Sequence, residues 1–240
     1  GLNMISDVAK KLNLSAADLK RQKNIISKRD QLYSGYYIET LKEKFIFELK
    51  SFIGNALLPK TVNTDKKYIN LGCGTVINEK FLNIDFFKIG KREKSFLGLD
   101  LRRKLPFKDE IFEGCFTEHA IEHLHFLECM NLIKEIYRTL KYNSVLRLIV
   151  PDLKKYIDNY NGTNVNSSFD VFKIKSEGIW SIAQNYKHKS VWDFELIADL
   201  LNKVGFRDIS LSQFNKSKNK DLIIDRQDRE WNSLYVEAIK

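Results

Sequence analysis

The chain has 240 residues, 43% of them apolar and 12% aromatic, enough to build a core and too apolar for an intrinsically disordered chain. A formal net charge of +9 would suit an acidic partner such as nucleic acid, but the lysines are scattered, so a merely soluble surface explains it equally well. Cys73, Cys115 and Cys129 form neither a disulfide framework nor a C-x-x-C metal pair; with no apolar run of membrane-spanning length and no signal-peptide core, the expectation is a cytoplasmic protein.

Residues 1–60 read as a helical extension packing on a main domain that spans 61–240. Ser15-x-x-Asp18 resembles a capping box and opens a helix to about Asp30. Asp7 to Arg21 has the apolar slots of the middle of a helix-turn-helix, at Ala9, Leu12 and Leu14, but too little chain precedes it for a supporting first helix. Ile38, Leu41, Phe45, Leu49, Phe52, Ile53 and Ala56 fall at three-to-four spacing, which predicts an amphipathic helix stopped by Pro59.

From Lys67 the texture changes to short apolar runs: Tyr68 to Leu71, Phe81 to Ile84, Phe96 to Leu99, Glu113 to Thr117, and Val145 to Val150. Leu127, Met130, Ile133, Ile136, Tyr137 and Leu140 place a helix before the last run. Strands alternating with helices make parallel βαβ units, hence an α/β fold with a doubly wound, mostly parallel sheet. Asn161 to Ser176, rich in Asn, Ser and Gly, reads as a loop or lid. Asp193 to Val204 is a helix closed by Gly205. "FRDISLSQF" (Phe206 to Phe214) and "SLYVEAI" (Ser233 to Ile239) read as an antiparallel pair of closing strands at the sheet edge.

The first run ends in Gly72-Cys73-Gly74, where glycines permit positive φ and close approach of backbone to a ligand. A dinucleotide loop would want a third glycine at Ile77. Asp85 closes the second run, where a carboxylate accepts from ribose hydroxyls, and Asp100 closes the third, where one accepts from an adenine amino group. Aspartates at turns are common, but Gly-x-Gly, Asp and Asp at three successive strand ends form a series.

The run "YINLGCGT…FLNIDFF…GLDLRRKLPFKDEIFEGCFTEHAIEHL…LIKEIYRTLKYNSVLRLIVPDL" resembles the class I S-adenosylmethionine-dependent methyltransferases, in particular a bacterial group with "LNLGCG", "LPF" and "EHxxEHL" motifs. The resemblance implies a Rossmann-like fold and S-adenosylmethionine as cofactor. It implies that Asn70, Leu71, Gly72, Cys73 and Gly74 line the methionine half, and that Asp85 holds the ribose. By the same resemblance Asp100 and Leu101 frame the adenine, and Thr117, Glu118 and His119 stand at the sulfonium end. The sequence departs from the family at Asn70, where an acidic residue is usual, and at Val76, where a further glycine is. Only Thr75 to Lys80 separate the glycine loop from the next run, so the helix that normally follows the loop is absent or reduced to a turn. The helix around Ile38 to Ala56 is expected to cover that face of the sheet.

Three of the four histidines lie in "TEHAIEHLH", and His119-x-x-Glu122-His123 matches the H-x-x-E-H pattern of zinc peptidases. That reading needs His119 inside a helix, whereas His119 follows a strand, so no metal is expected. If the methyl acceptor is a hydroxyl or amine, His119 is the first candidate base, then His123 and His188, each with a structural alternative as a cap or a buried histidine. Asp152 and Tyr156, after Pro151, are weaker candidates for meeting substrate. The sequence therefore reads as a methyltransferase acting on an O or N nucleophile, of a small molecule or a saccharide. The rival readings are a nucleic-acid-binding or RNA-methylating protein, a zinc hydrolase and an inert cofactor-binding scaffold. Nothing in the sequence speaks to oligomeric state.

Overall fold

Apolar runs too short for helices, separated by turns, become the strands of one sheet: β1 (Tyr68–Leu71), β2 (Phe81–Asp85), β3 (Arg92–Glu93), β4 (Phe96–Gly98), β5 (Phe112–Glu118), β6 (Leu140–Pro151), β7 (Arg207–Leu211) and β8 (Ser233–Ile239). The structure is a computed structural model and describes residues 40–86, 88–163 and 166–240. The fragments Asp7 to Arg21 and Ser15 to Asp30 lie outside these residues. The elements named here belong to the compact unit of residues 39–184 and 188–240.

The strand order is β3-β4-β2-β1-β5-β6-β8-β7. The centre is parallel: β1 pairs with β2 and β5, β2 with β4, and β5 with β6. The two-residue β3 adds an antiparallel edge on one side, which the sequence did not suggest. On the other side β8 runs antiparallel to β6 and β7 antiparallel to β8, the closing pair read from the sequence. This is a doubly wound, Rossmann-like arrangement. The chain leaves β1 for β2 on one side and returns to β5 on the other, so a crevice opens at the carboxyl ends of β1 and β5.

The helices are α1 (Leu41–Ala56), α2 (Phe126–Thr139), α3 (Leu153–Asn161), α4 (Lys175–Gln184) and α5 (Phe194–Val204). Helix α1 starts in a capping box in which the Thr40 side chain accepts from Glu43 N and Glu43 reaches back to Thr40 N. Asp193 caps α5 through Leu196 N, and Gly205 ends it in the left-handed conformation. Asn143 likewise takes positive φ, at 63°. Where a loop or lid was expected, Gly162 closes α3, a 3-10 turn covers Ser167–Val171, and α4 begins at Lys175.

One apolar cluster fills the face of the sheet under α2 and α5, with Leu71, Ile84, Leu97, Ile133, Ile136, Leu200 and Leu201 among its members. A smaller one on β1, β2, β5, β6 and β8 joins Phe81, Phe116, Ile149 and Tyr235 to Leu222. Beside it the fully buried Arg147 of β6 donates to both oxygens of Asp225, to Glu237 and to the carbonyls of Gln213 and Lys216. A buried cation is tolerated only when paired and hydrogen-bonded in this way. The arrangement fixes the segment 213–225 against the sheet.

The apolar stripe of helix α1 is not its buried side: Leu41, Phe45, Phe52 and Ile53 are exposed, and the buried positions are Ser51 and Gly54. The helix docks through its other side. Phe47 stacks on Phe86 with ring centroids 4.2 Å apart, Glu48 pairs with Arg102, Ser51 donates to Asp100, and Gly54 lets Ile89 approach closely. Periodicity identified the helix but not its docking side, because a few polar anchors near the ends of β2 and β4 decide it.

Candidate functional site

At the crevice lies a cavity of about 760 Å³. Its floor is the end of β1. Gly72 takes φ 72° and Gly74 φ 57°, and Gly72 N and Cys73 N both donate to Ile84 O across the gap to β2. A Cβ on Gly72 would stand 2.2 Å from Ala120 Cβ, so only glycine fits there. A Cβ on Gly74 would meet no atom within 4 Å, and Gly74 borders the cavity, so the backbone there leaves room for a ligand. No helix lies between Gly74 and β2: residues 74–80 form turns.

Asp85, at the end of β2, accepts from Gly74 N at 2.8 Å and borders the cavity. Asp100 and Leu101 follow β4 on the same wall. The Asp100 carboxylate is held by Arg102 through its backbone N and guanidinium and by Ser51 Oγ. Burial alone would raise its pKa, but these donors outweigh burial and hold it below the usual value. Arg102 also pairs with Glu48 and lies 4.8 Å over the ring of Phe47, so an aromatic and charged rim meets the cavity here.

The far wall begins where β5 ends. Glu118 accepts from Arg226 N at 3.1 Å, and burial pushes its carboxyl up. His119 has φ 50°, rare for a residue with a side chain, and its turn carries the chain out of the sheet. Burial, with Arg229 nearby, lowers its pKa to about 3, so the ring is neutral. Its Nε2 lies 2.7 Å from Ser233 Oγ, which donates its own hydrogen to Arg229 O at 2.6 Å. Nε2 therefore carries the proton and Nδ1 the lone pair. His123 also borders the cavity; His188 does not, although its ring lies against His123 at 5.1 Å. Cys73 lines the floor as a thiol, not a thiolate: burial, with Asp85 nearby, pushes it up to about 12.

Of the residues singled out in the sequence, Asn70, Gly72, Cys73, Gly74, Asp85, Asp100, Leu101, Glu118, His119 and His123 come together on this one cavity. Leu71 and Thr117 do not. They sit opposite each other in the β1–β5 register, Leu71 fully buried in the core and Thr117 buried with its hydroxyl lacking a hydrogen-bond partner among the described residues. Asp152 and Tyr156 border other parts of the fold, Asp152 a separate cleft and Tyr156 an aromatic cluster with Phe169 and Trp231. Reading the sequence missed Phe47, Phe86, Arg102, Ile224, Arg226 and Arg229, all on the cavity. The last three come from the segment tied to the sheet near Arg147, and they carry no local pattern that would mark them.

No family model matches the chain, and no curated protein matches it. Among solved structures it is similar to an S-adenosylmethionine-dependent methyltransferase from Archaeoglobus fulgidus, at 17% identity over 81% of this chain and 94% of that one, with a TM-score of 0.46. It is also similar to such a methyltransferase from Thermotoga maritima, described as a possible histamine N-methyltransferase, at 17% identity over 90% and 96%, with a TM-score of 0.44. A third is a phosphoethanolamine N-methyltransferase of Haemonchus contortus in complex with S-adenosylmethionine, at 14% identity over 90% of this chain and 56% of that one, with a TM-score of 0.39. Among the described residues no helix is long and apolar enough to cross a membrane.

Proposed function

We propose that the cavity binds S-adenosylmethionine and that the protein transfers its methyl group to an O or N nucleophile of a small molecule or saccharide. The observation that carries this reading is the convergence of Gly72 to Gly74, Asp85, Asp100 and Glu118 to His119, from four strand ends, on one cavity at the switch point of the sheet. The open space at Gly74 and the carboxylate of Asp85 beside it fit a ribose and the chain attached to it. Leu101, Phe47 and Phe86 offer flat apolar contacts for a base, and Arg102 keeps Asp100 ionised beside them. When bound, the cofactor supplies an electrophilic methyl carbon on a cationic sulfur.

The residues at the end of β5 then have distinct tasks. Glu118 faces the cationic end and offers negative charge, its raised pKa tempered by Arg226 and Arg229. His119, neutral and with its lone pair on Nδ1, is the group that can accept a proton from an acceptor hydroxyl or ammonium. Its low proton affinity makes it a weak base, so orientation of the nucleophile supplies more of the rate than proton removal. A radiolabelled-methyl assay against a panel of small alcohols, amines and saccharides tests the reading. Transfer to one class, reduced at least tenfold in Asp85→Ala, supports it. Absence of transfer to every acceptor, together with absence of cofactor binding, would refute it.

A further inference from the structure

Beside the cavity stands a group of side chains that the methyl-transfer reading does not use. The 3-10 turn Ile121–His123 sets Glu122 and His123 next to each other. The segment at Lys189 and Ser190 is stapled to this turn: Lys189 N and Ser190 N both donate to Glu122 O, at 2.8 and 3.2 Å, which brings His188 against the pair. One ligand atom from each of Glu122, His123 and His188 lies within 4.8 Å of the others. His188 Nδ1 lies 2.8 Å from the carbonyl of Ile182, which can only accept, so Nδ1 carries the hydrogen and Nε2 the lone pair. A histidine held through its N–H by a backbone carbonyl is oriented as metal-binding histidines are.

The second observation is Glu122 itself. Its side chain is 2% exposed, and neither carboxylate oxygen has a hydrogen-bond partner among the described residues. The nearest basic nitrogen, His119 Nδ1, stands 3.7 Å away, beyond hydrogen-bond reach. A carboxyl buried without a partner is costly whether ionised or not, and the usual remedies are a cation or a bound water. The two imidazoles beside it supply the further nitrogen ligands that a transition cation uses.

We propose that Glu122, His123 and His188 bind a divalent first-row transition cation, with Zn²⁺ as the reference ion. Two imidazole nitrogens and one carboxylate oxygen suit such ions and disfavour Mg²⁺ or Ca²⁺, which take oxygen ligands. Three protein ligands leave a coordination position open, as in catalytic rather than structural zinc sites. His123 borders the cavity, so that position is available to a ligand entering there. The site differs from the H-x-x-E-H arrangement of zinc peptidases. His119 lies outside the turn with Nε2 taken by Ser233, Glu122 is a ligand, and His188 supplies the second imidazole. The inference holds whatever the cavity binds.

The test is a titration of the full chain, stripped with chelator, with Co²⁺ and then Zn²⁺. One Co²⁺ per chain should bind, give visible d–d absorption and be displaced by Zn²⁺. Glu122→Gln and His188→Gln should each weaken uptake at least tenfold, whereas His125→Gln, at the exposed fourth histidine, should not. Thermal melts without metal show which variants fold; should Glu122→Gln fail to fold, His188→Gln and the wild-type titration decide. No stoichiometric uptake by the wild type, or uptake undiminished in folded His188→Gln, overturns the proposal.

Discussion

Substituting each glycine of the loop by alanine separates what the fold requires from what the ligand requires. Both residues have positive φ, 72° at Gly72 and 57° at Gly74, so each alanine costs about 1–2 kcal/mol of backbone strain. At Gly72 the new methyl also meets Ala120 Cβ at 2.2 Å, and relieving that contact in a packed turn adds about 1–3 kcal/mol. At about 2–4 °C per kcal/mol for a chain of this size, Gly72→Ala should lower Tm by roughly 4–20 °C, and Gly74→Ala by roughly 2–8 °C. Affinity for S-adenosylmethionine should fall with Gly74→Ala, because its methyl occupies open space at the cavity floor. A tenfold loss there corresponds to about 1.4 kcal/mol. Differential scanning fluorimetry and calorimetric titration on the two variants provide the readouts. If Gly72→Ala melts no lower than Gly74→Ala, or Gly74→Ala binds as the wild type does, the packing of Gly72 or the role of the Gly74 cradle is refuted.

Ser51→Ala removes a donor that helps hold Asp100 below its usual pKa. A depressed carboxylate stabilises the fold above its unfolded pKa of about 3.9 and loses that contribution as pH falls through the lower folded value, so the variant's acid-unfolding midpoint should move to higher pH. Circular dichroism against pH reads this, and an unchanged midpoint would contradict it. Arg147→Met leaves Asp225 and Glu237 buried without their cation and should cost about 3–5 kcal/mol in a urea melt. It should also weaken cofactor binding by loosening Ile224 and Arg226; a fully stable variant would show the network to be dispensable. Cys73, with its thiol raised to about 12, should alkylate with iodoacetamide at pH 7.5 much more slowly than a free thiol, a rate followed by mass spectrometry. Rapid alkylation would mean the thiolate is accessible.

The parts of the fold legible in the sequence are those written in local pattern. The runs at Tyr68, Phe81, Phe96, Glu113 and Val145 became β1, β2, β4, β5 and β6, because a strand buried on both faces needs an uninterrupted apolar run. The missing helix after Gly74 followed from counting residues to Phe81, and the structure has only turns there. What depended on pairing was not legible. The docking side of α1 turns on Phe47, Glu48 and Ser51 meeting Phe86, Arg102 and Asp100, partners distant in the chain. Arg226 and Arg229 reach the cavity because Arg147 anchors the segment before them, a tertiary event without periodicity. The histidine cluster shows the same limit. Spacing paired His119 with His123, whereas the fold turns His119 toward Ser233 and brings in His188 from sixty-five residues away, between positions 123 and 188.

The measurement closest to the central claim is isothermal titration of the purified chain with S-adenosylmethionine, beside Asp85→Ala. Saturable binding at one site, weakened at least tenfold by Asp85→Ala while Tm changes little, is the predicted result. No heat of binding at millimolar cofactor, or equal affinity in the two proteins, would contradict the assignment of the cavity.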